Sequence, residues 1–213
     1  MKYFYRRNLP HYQPPGGRFF VTFRLVNSLP KSVVTRLKKE YNSLMKDAEN
    51  KNRTKKRKLL KVYFQKFDQF LDRSNAGNLW LRRDSVAQIV ADRIHDFDSE
   101  KYTLICFCIM PNHVHLLVEL FTQDEKDKNE VAKFLPLAET MKLIKGSTAY
   151  ECNTVLSRKG QFWQHESYDH LVRDNDELER VIRYILLNPV KAGLVNKWQD
   201  WKWTYCREKY VVL

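Results

Sequence analysis

The chain has 213 residues, with 38 Lys and Arg against 25 Asp and Glu, a net charge of +13, and 43% hydrophobic and 13% aromatic residues. That balance excludes a wholly disordered basic protein, because there is enough apolar side chain for a buried core. No apolar run reaches the ~18–20 residues of a membrane span, and the opening Met1–Tyr12 lacks the apolar stretch of a secretory signal. A cytoplasmic protein with no membrane partner is expected. Cys106, Cys108, Cys152 and Cys206 show no C-x-x-C spacing. Cys106 and Cys108 alternate in an apolar run and read as buried thiols, which suits a reducing compartment and argues against structural zinc.

An excess of +13 points to a polyanionic partner, of which nucleic acid is the commonest. The charge concentrates in Lys51-Asn-Arg-Thr-Lys-Lys-Arg-Lys58. Aromatics are interleaved with it along the chain, among them Tyr3, Phe4, Tyr5, Tyr12, Trp80 and Trp163. Rings that stack on bases beside cations that meet phosphates suit single-stranded nucleic acid. For any one ring, and for Trp163 in particular, core packing is the better reading.

Residues 1–17, with Pro10, Pro14, Pro15 and Gly16-Gly17, read as irregular chain. Residues 18–26 are β-branched and aromatic and predict a strand. Pro30 opens a helix whose apolar positions are Val33, Val34, Leu37, Tyr41 and Leu44. Segment 46–80 reads as a basic helical insertion, an exposed helix in one domain spanning 1–213. Residues 84–97 form a helix with Val86, Ile89, Val90, Ile94 and Phe97 on one face. Tyr102–Met110 and His113–Phe121 predict an antiparallel hairpin turning at Pro111-Asn112. A polar loop over 122–131, a helix near 135–149 and a short strand over 168–173 follow. A helix capped by Asp174, with Glu177 at capping-box spacing, is expected to stop at Pro189. The Trp- and Tyr-rich tail 196–213 is expected to pack back onto the domain. This order predicts an α+β fold, a ferredoxin-like antiparallel sheet flanked by helices with one added strand or helix.

Three segments carry chemistry. In Met110-Pro-Asn-His-Val-His-Leu-Leu-Val118, His113 and His115 lie two apart on a strand, so both imidazoles share one side of the sheet, while Val114, Leu116 and Val118 share the other. Two imidazoles on one face make half of a divalent-metal site. In the helix after Asp174, Leu178, Val181, Ile182, Ile185 and Leu186 form the core stripe, and Tyr184 and Asn188, four apart, lie one above the other beside it. Segment Gly160–Arg173 offers Trp163, His165, Tyr168, His170 and Arg173 for stacking or phosphate contact.

Pro111-Asn-His-Val-His-Leu-Leu, Phe162-Trp-Gln, Tyr168-Asp-His-Leu-Val-Arg and Tyr184-Ile-Leu-Leu-Asn-Pro-Val-Lys-Ala-Gly-Leu-Val195, in this order, resemble the REP-associated tyrosine transposases. These are single-tyrosine HUH nucleases of the insertion-sequence transposase superfamily. The opening Arg6-Arg-Asn-Leu-Pro-His and Phe20-Val-Thr-Phe-Arg24 are similar to the start of that family. The resemblance covers about 1–26 and 85–203, and segment 46–80 does not match it.

The resemblance implies an HUH core and cleavage of single-stranded DNA beside a hairpin. It implies that His113 and His115, with Asn188 as third ligand, hold Mg²⁺ or Mn²⁺. It implies that Tyr184 attacks the scissile phosphate, giving a 5′-phosphotyrosine and a free 3′-OH. Tyr168 is the rival nucleophile, without a ligand-type residue four positions on. For DNA contact the candidates are Arg6, Arg7 and Arg18 near the guide sequence, Arg173 and Lys191 near phosphate, and Lys55, Lys56, Arg57 and Lys58 on the hairpin duplex. Two other readings stand beside this one: a hairpin DNA- or RNA-binding module that does not cut, and a metal-dependent hydrolase that uses the histidines but not Tyr184. Monomer and homodimer are both open.

Overall fold

The structure is a computed structural model and describes residues 4–6, 10–12, 14–47, 53–73, 76–122 and 134–211. Two short strands, β1 (Phe4–Arg6) and β2 (Pro10–Tyr12), pair antiparallel where the sequence reads as irregular. Pro10 is the first residue of β2, in a two-stranded ribbon, a position that tolerates proline.

The main sheet contains β3 (Arg18–Arg24), β4 (Tyr102–Ile109), β5 (His113–Leu120), β6 (Tyr168–Val172) and β7 (Thr204–Cys206). Its order is β6-β3-β5-β4-β7, and every neighbouring pair is antiparallel. Helices α1 (Lys31–Asp47), α2 (Arg53–Arg73) and α3 (Asp84–Asp96) lie between β3 and β4, and α4 (Leu137–Val155) lies between β5 and β6. Each crossover leaves a gap of one strand that the other crossover fills, which is the split βαβ arrangement of the ferredoxin-like fold. The α+β expectation holds, and β7, from the aromatic tail, is the added strand.

The two faces of the sheet follow the period of two. Phe19, Val21, Phe23, Val114, Leu116 and Val118 pack beneath Val86, Val90, Ile94, Leu137 and Ile144 of α3 and α4. Phe20, Cys106, Cys108 and Leu117 face Leu178, Ile182, Ile185 and Leu186 of α5 (Asn175–Lys191). Trp163 is core, as its plain reading has it, with its indole N–H donating to Thr148 Oγ1 at 2.9 Å.

Helix α5 runs through Pro189 to Lys191 rather than stopping there. A proline in the last turn gives up one N–H, while the carbonyls of Asn188 and Pro189 still accept from Ala192 and Leu194, each at 2.9 Å. Its start is as expected: Glu177 N–H donates to Asp174 Oδ1 at 2.7 Å.

The basic segment does form a helix, α2, but one face of it is not exposed. Phe64, Asp68 and Leu71 are buried, and each of the two apolar side chains contributes ~1.5–3 kcal/mol on burial. Asn112 Nδ2 donates to Leu71 O at 3.0 Å, tying the end of α2 to the turn before β5. The chain then returns to the core through Gly77, whose φ of 91° and close approach exclude a side chain: a Cβ there would run into the Asn27 carbonyl.

Candidate metal and nucleophile site

Strand β5 sets His113 and His115 on the face opposite Val114 and Leu116, and both are fully buried. Each ring is held by its Nδ1. Thr22, directly across on β3, places Oγ1 2.8 Å from His115 Nδ1. Asn112 Oδ1 lies 2.6 Å from His113 Nδ1. Asn112 Nδ2 is already committed to the Leu71 carbonyl, so Oδ1 accepts and His113 Nδ1 carries the proton. That leaves the lone pair of neutral His113 on Nε2. The two Nε2 atoms converge to 2.9 Å.

Helix α5 brings two residues to this point. Asn188 is fully buried, with Nδ2 3.1 Å from His115 Nε2. Tyr184, one turn earlier, lies edge-on to His115 with ring centroids 5.4 Å apart, and Lys191 Nζ sits 5.4 Å from the Tyr184 centroid. The Tyr184 hydroxyl donates to Asp68 Oδ2 on α2. The same Oδ2 is 3.6 Å from His115 Nε2, and Asp72, one turn further along α2, places Oδ1 3.4 Å from His113 Nε2.

Burial dominates the electrostatics. It lowers the His113 pKa from 6.5 to about 3, with the Arg24 charge adding to it. Burial, then His113, holds His115 well below its usual value. Burial, then the charge of Asp72, pushes Asp68 well above the carboxylate range. Both imidazoles are therefore neutral at pH 7. Their approaches to Asp68 and Asp72 are not ion pairs, and neutral imidazole is the form that ligates metals.

Asp68, His113 and His115 each offer a ligand atom, all within 4.8 Å of one another. Two further oxygens, Asp68 Oδ1 and Asn188 Oδ1, are buried and have no hydrogen-bond partner. A buried acceptor without a donor costs ~1–3 kcal/mol, a cost that a bound cation offsets. Two imidazole nitrogens and a carboxylate oxygen this close together fit a divalent metal ion.

The cluster thus contains four residues singled out from the sequence, His113, His115, Tyr184 and Asn188, with Lys191 beside them. Tyr168 stands close by on β6, its ring stacked on Phe64 at 3.4 Å and its hydroxyl pKa raised chiefly by burial. Arg18 and Arg173 are elsewhere. Arg18 pairs with Val172 at the end of β3 remote from Thr22, and its Nη1 donates to Asn175 Oδ1 at 3.0 Å. Arg173 follows β6 at that same end, with its backbone N–H donating to Glu177 Oε2 at 3.3 Å. Arg6 lies on β1, and Lys55, Lys56, Arg57 and Lys58 lie on α2, but their side chains, like all of Arg7, fall outside the described residues. Asp68 and Asp72 were missed. Their signal was the spacing Phe64, Asp68, Leu71, Asp72, a mixed apolar and acidic helix face within a segment dominated by Lys and Arg.

Residues 78–188 match the family model described as "Transposase IS200 like". The chain is 31% identical over 130 residues to a protein of Haemophilus influenzae (strain ATCC 51907 / DSM 11121 / KW20 / Rd) provisionally named a REP-associated tyrosine transposase, covering 57% of this chain and 73% of that one. A solved structure of a REP-associated tyrosine transposase bound to a REP hairpin aligns over 94% of this chain and 80% of its own, at 18% identity and a TM-score of 0.48.

Proposed function

This chain belongs to the IS200-like transposase family, and we propose that it cleaves and rejoins single-stranded DNA at hairpin sequences through Tyr184. The observation that carries this reading is the meeting of the Tyr184 hydroxyl, the Asp68 carboxylate, two neutral imidazoles and the Asn188 side chain in one buried cluster. The name of the Haemophilus influenzae relative supports a REP-type hairpin as the DNA.

His113, His115 and Asn188 are the ligands proposed for Mg²⁺ or Mn²⁺. When bound, the cation polarises the scissile phosphate and offsets the charge of the pentavalent transition state. The Tyr184 oxygen forms the new bond to phosphorus, and the P–O3′ bond breaks. The products are a 5′-phosphotyrosine and a 3′-hydroxyl, which takes a proton from solvent. A phenol of ordinary pKa ~10 is a weak nucleophile at pH 7, so its proton needs an acceptor. Asp68, already accepting from that hydroxyl, is placed to take it. The covalent link keeps the phosphodiester energy, so a second 3′-hydroxyl can reverse the step without ATP. Lys191, with Nζ 5.4 Å from the Tyr184 ring centroid, is proposed to meet a phosphate oxygen. Arg6, Arg7, Arg18, Lys55, Lys56, Arg57, Lys58 and Arg173 are proposed as outlying DNA contacts. The chain is read as a single domain with 46–80 inserted.

End-labelled hairpin DNA, incubated with the protein and Mn²⁺ or with EDTA, tests the reading. The expected products are an upstream fragment ending in a free 3′-hydroxyl and a downstream fragment joined to the protein through its 5′ phosphate, in Mn²⁺ only. Hairpin binding without either product at any metal concentration would replace it with the non-catalytic binding module.

A further inference from the structure

Between α1 and α2 on one side and the β3–β6 edge on the other lies a cavity of about 870 Å³, within the ~300–1,000 Å³ range of ligand sites. Tyr41, Tyr63, Phe67 and Tyr168 line it, with Arg24 and Lys38. The rings form a row: Tyr41 and Tyr63 have centroids 5.0 Å apart, and Tyr63 and Phe67 6.4 Å. The Arg24 guanidinium sits 5.4 Å from the Phe67 centroid, and its Nη1 donates to Ser28 Oγ at 2.9 Å. Burial lowers its pKa only to about 10, so it stays charged at pH 7, and among the described residues it makes no ion pair. Lys38 is exposed. Glu166 is the only carboxylate among the described lining residues, leaving the positive charges in excess.

The cavity adjoins the site already described. Thr22, which holds His115 Nδ1, and Leu71, whose carbonyl holds Asn112, are both part of its wall. A purely apolar ligand would leave the half-buried Arg24 guanidinium without a counter-charge. A duplex would hide its base faces from the rings. A flexible strand offers both what the rings need, an exposed π-face, and what the cations need, a phosphate.

We propose that this cavity takes an unpaired nucleotide of the strand whose phosphate Tyr184 attacks, its base against the Tyr63–Phe67 ring row and its phosphate toward Arg24 and Lys38. This rests on the reaction proposed above and adds where the flanking strand is read. Helices α1 and α2 precede the family match at 78–188, so the Tyr41–Tyr63–Phe67 ring row and both cations come from a part of the chain that the family model does not cover.

The test uses full-length Tyr184→Phe protein and two labelled hairpins, one blunt and one with an unpaired flank carrying a fluorescent adenine analogue. Flank fluorescence is expected to be quenched on binding. Adding Tyr63→Leu should abolish the quenching and weaken the flanked hairpin by about tenfold, with the blunt hairpin unchanged. Adding Lys38→Ala, an exposed position that leaves the fold intact, should lower the salt slope for the flanked hairpin alone by about one. A loss equal for both hairpins, or no loss in either variant, overturns the subsite. A covalent adduct still formed by Tyr184→Phe would instead overturn the reaction, while flank-dependent binding would stand.

Discussion

The Tyr184 hydroxyl donates to the carboxylate of Asp68, joining a residue inside the family match to one on helix α2 outside it. If Asp68 accepts the phenol proton, Asp68→Asn, nearly isosteric, should slow adduct formation by ~10²–10⁴-fold. Hairpin affinity should be unchanged. Single-turnover kinetics with saturating protein reads the chemical step directly, and an unaltered rate would remove Asp68 from the reaction.

Thr22 fixes His115 from behind through Nδ1. Thr22→Val keeps the shape and the β-propensity and removes that hydrogen bond. Outer partners of metal-binding histidines are worth ~10–100-fold in affinity, so Mn²⁺ binding, followed by the loss of free-ion EPR signal, should weaken by that factor. Equal affinity in the variant would show that Thr22 does not orient the ligand.

Docking of α2 depends on buried side chains within a charged helix. Leu71 is 1% exposed, and Leu71→Ala should cost ~2–5 kcal/mol of the free energy holding that helix. Adduct formation should fall, because Asp68 leaves the site with it. A local loss of amide-exchange protection over α2, with the sheet still protected, is the expected signature. Uniform destabilisation of the whole domain would mean that α2 is an integral part of the core.

Acid stability follows from the buried pair, with signs that oppose. The folded-state pKa of His113 is lowered from 6.5 to about 3, so its contribution is present above pH 6.5 and is lost as pH falls toward 3. Asp68 is raised, so its contribution runs the other way and is regained on acidification. In metal-free Asp68→Asn protein only the histidine effect remains. Its stability should fall between pH 7 and pH 5, by about 2 kcal/mol from His113 alone. Wild type should lose less over the same range. A flat profile in the variant would contradict the burial of a neutral His113.

The parts of this site that sequence made legible were those with a period. His113 and His115 fall in one phase of an alternating strand, and Tyr184 and Asn188 fall four apart on an amphipathic helix, so local geometry alone puts each pair on one face. The ferredoxin-like order followed from the succession of strands and helices. Asp68 and Asp72 were hidden because what brings them in is tertiary: two buried apolar residues and one hydrogen bond from Asn112 outweigh a solvated, strongly basic composition. The end of α5 was misjudged because a proline in a last turn gives up only one N–H, while the carbonyls of Asn188 and Pro189 still accept from Ala192 and Leu194. Strand β7 gave no signal, since three residues beside tryptophans show no alternation long enough to count.

The most direct measurement is a denaturing gel of wild-type and Tyr184→Phe protein, each mixed with labelled hairpin DNA in Mn²⁺ or EDTA. Wild type in Mn²⁺ should give a band that survives SDS, and mass spectrometry should place the nucleotide on the peptide containing Tyr184. EDTA and Tyr184→Phe should each abolish it. An adduct that persists in Tyr184→Phe, or one mapped to Tyr168, would contradict Tyr184 as the nucleophile.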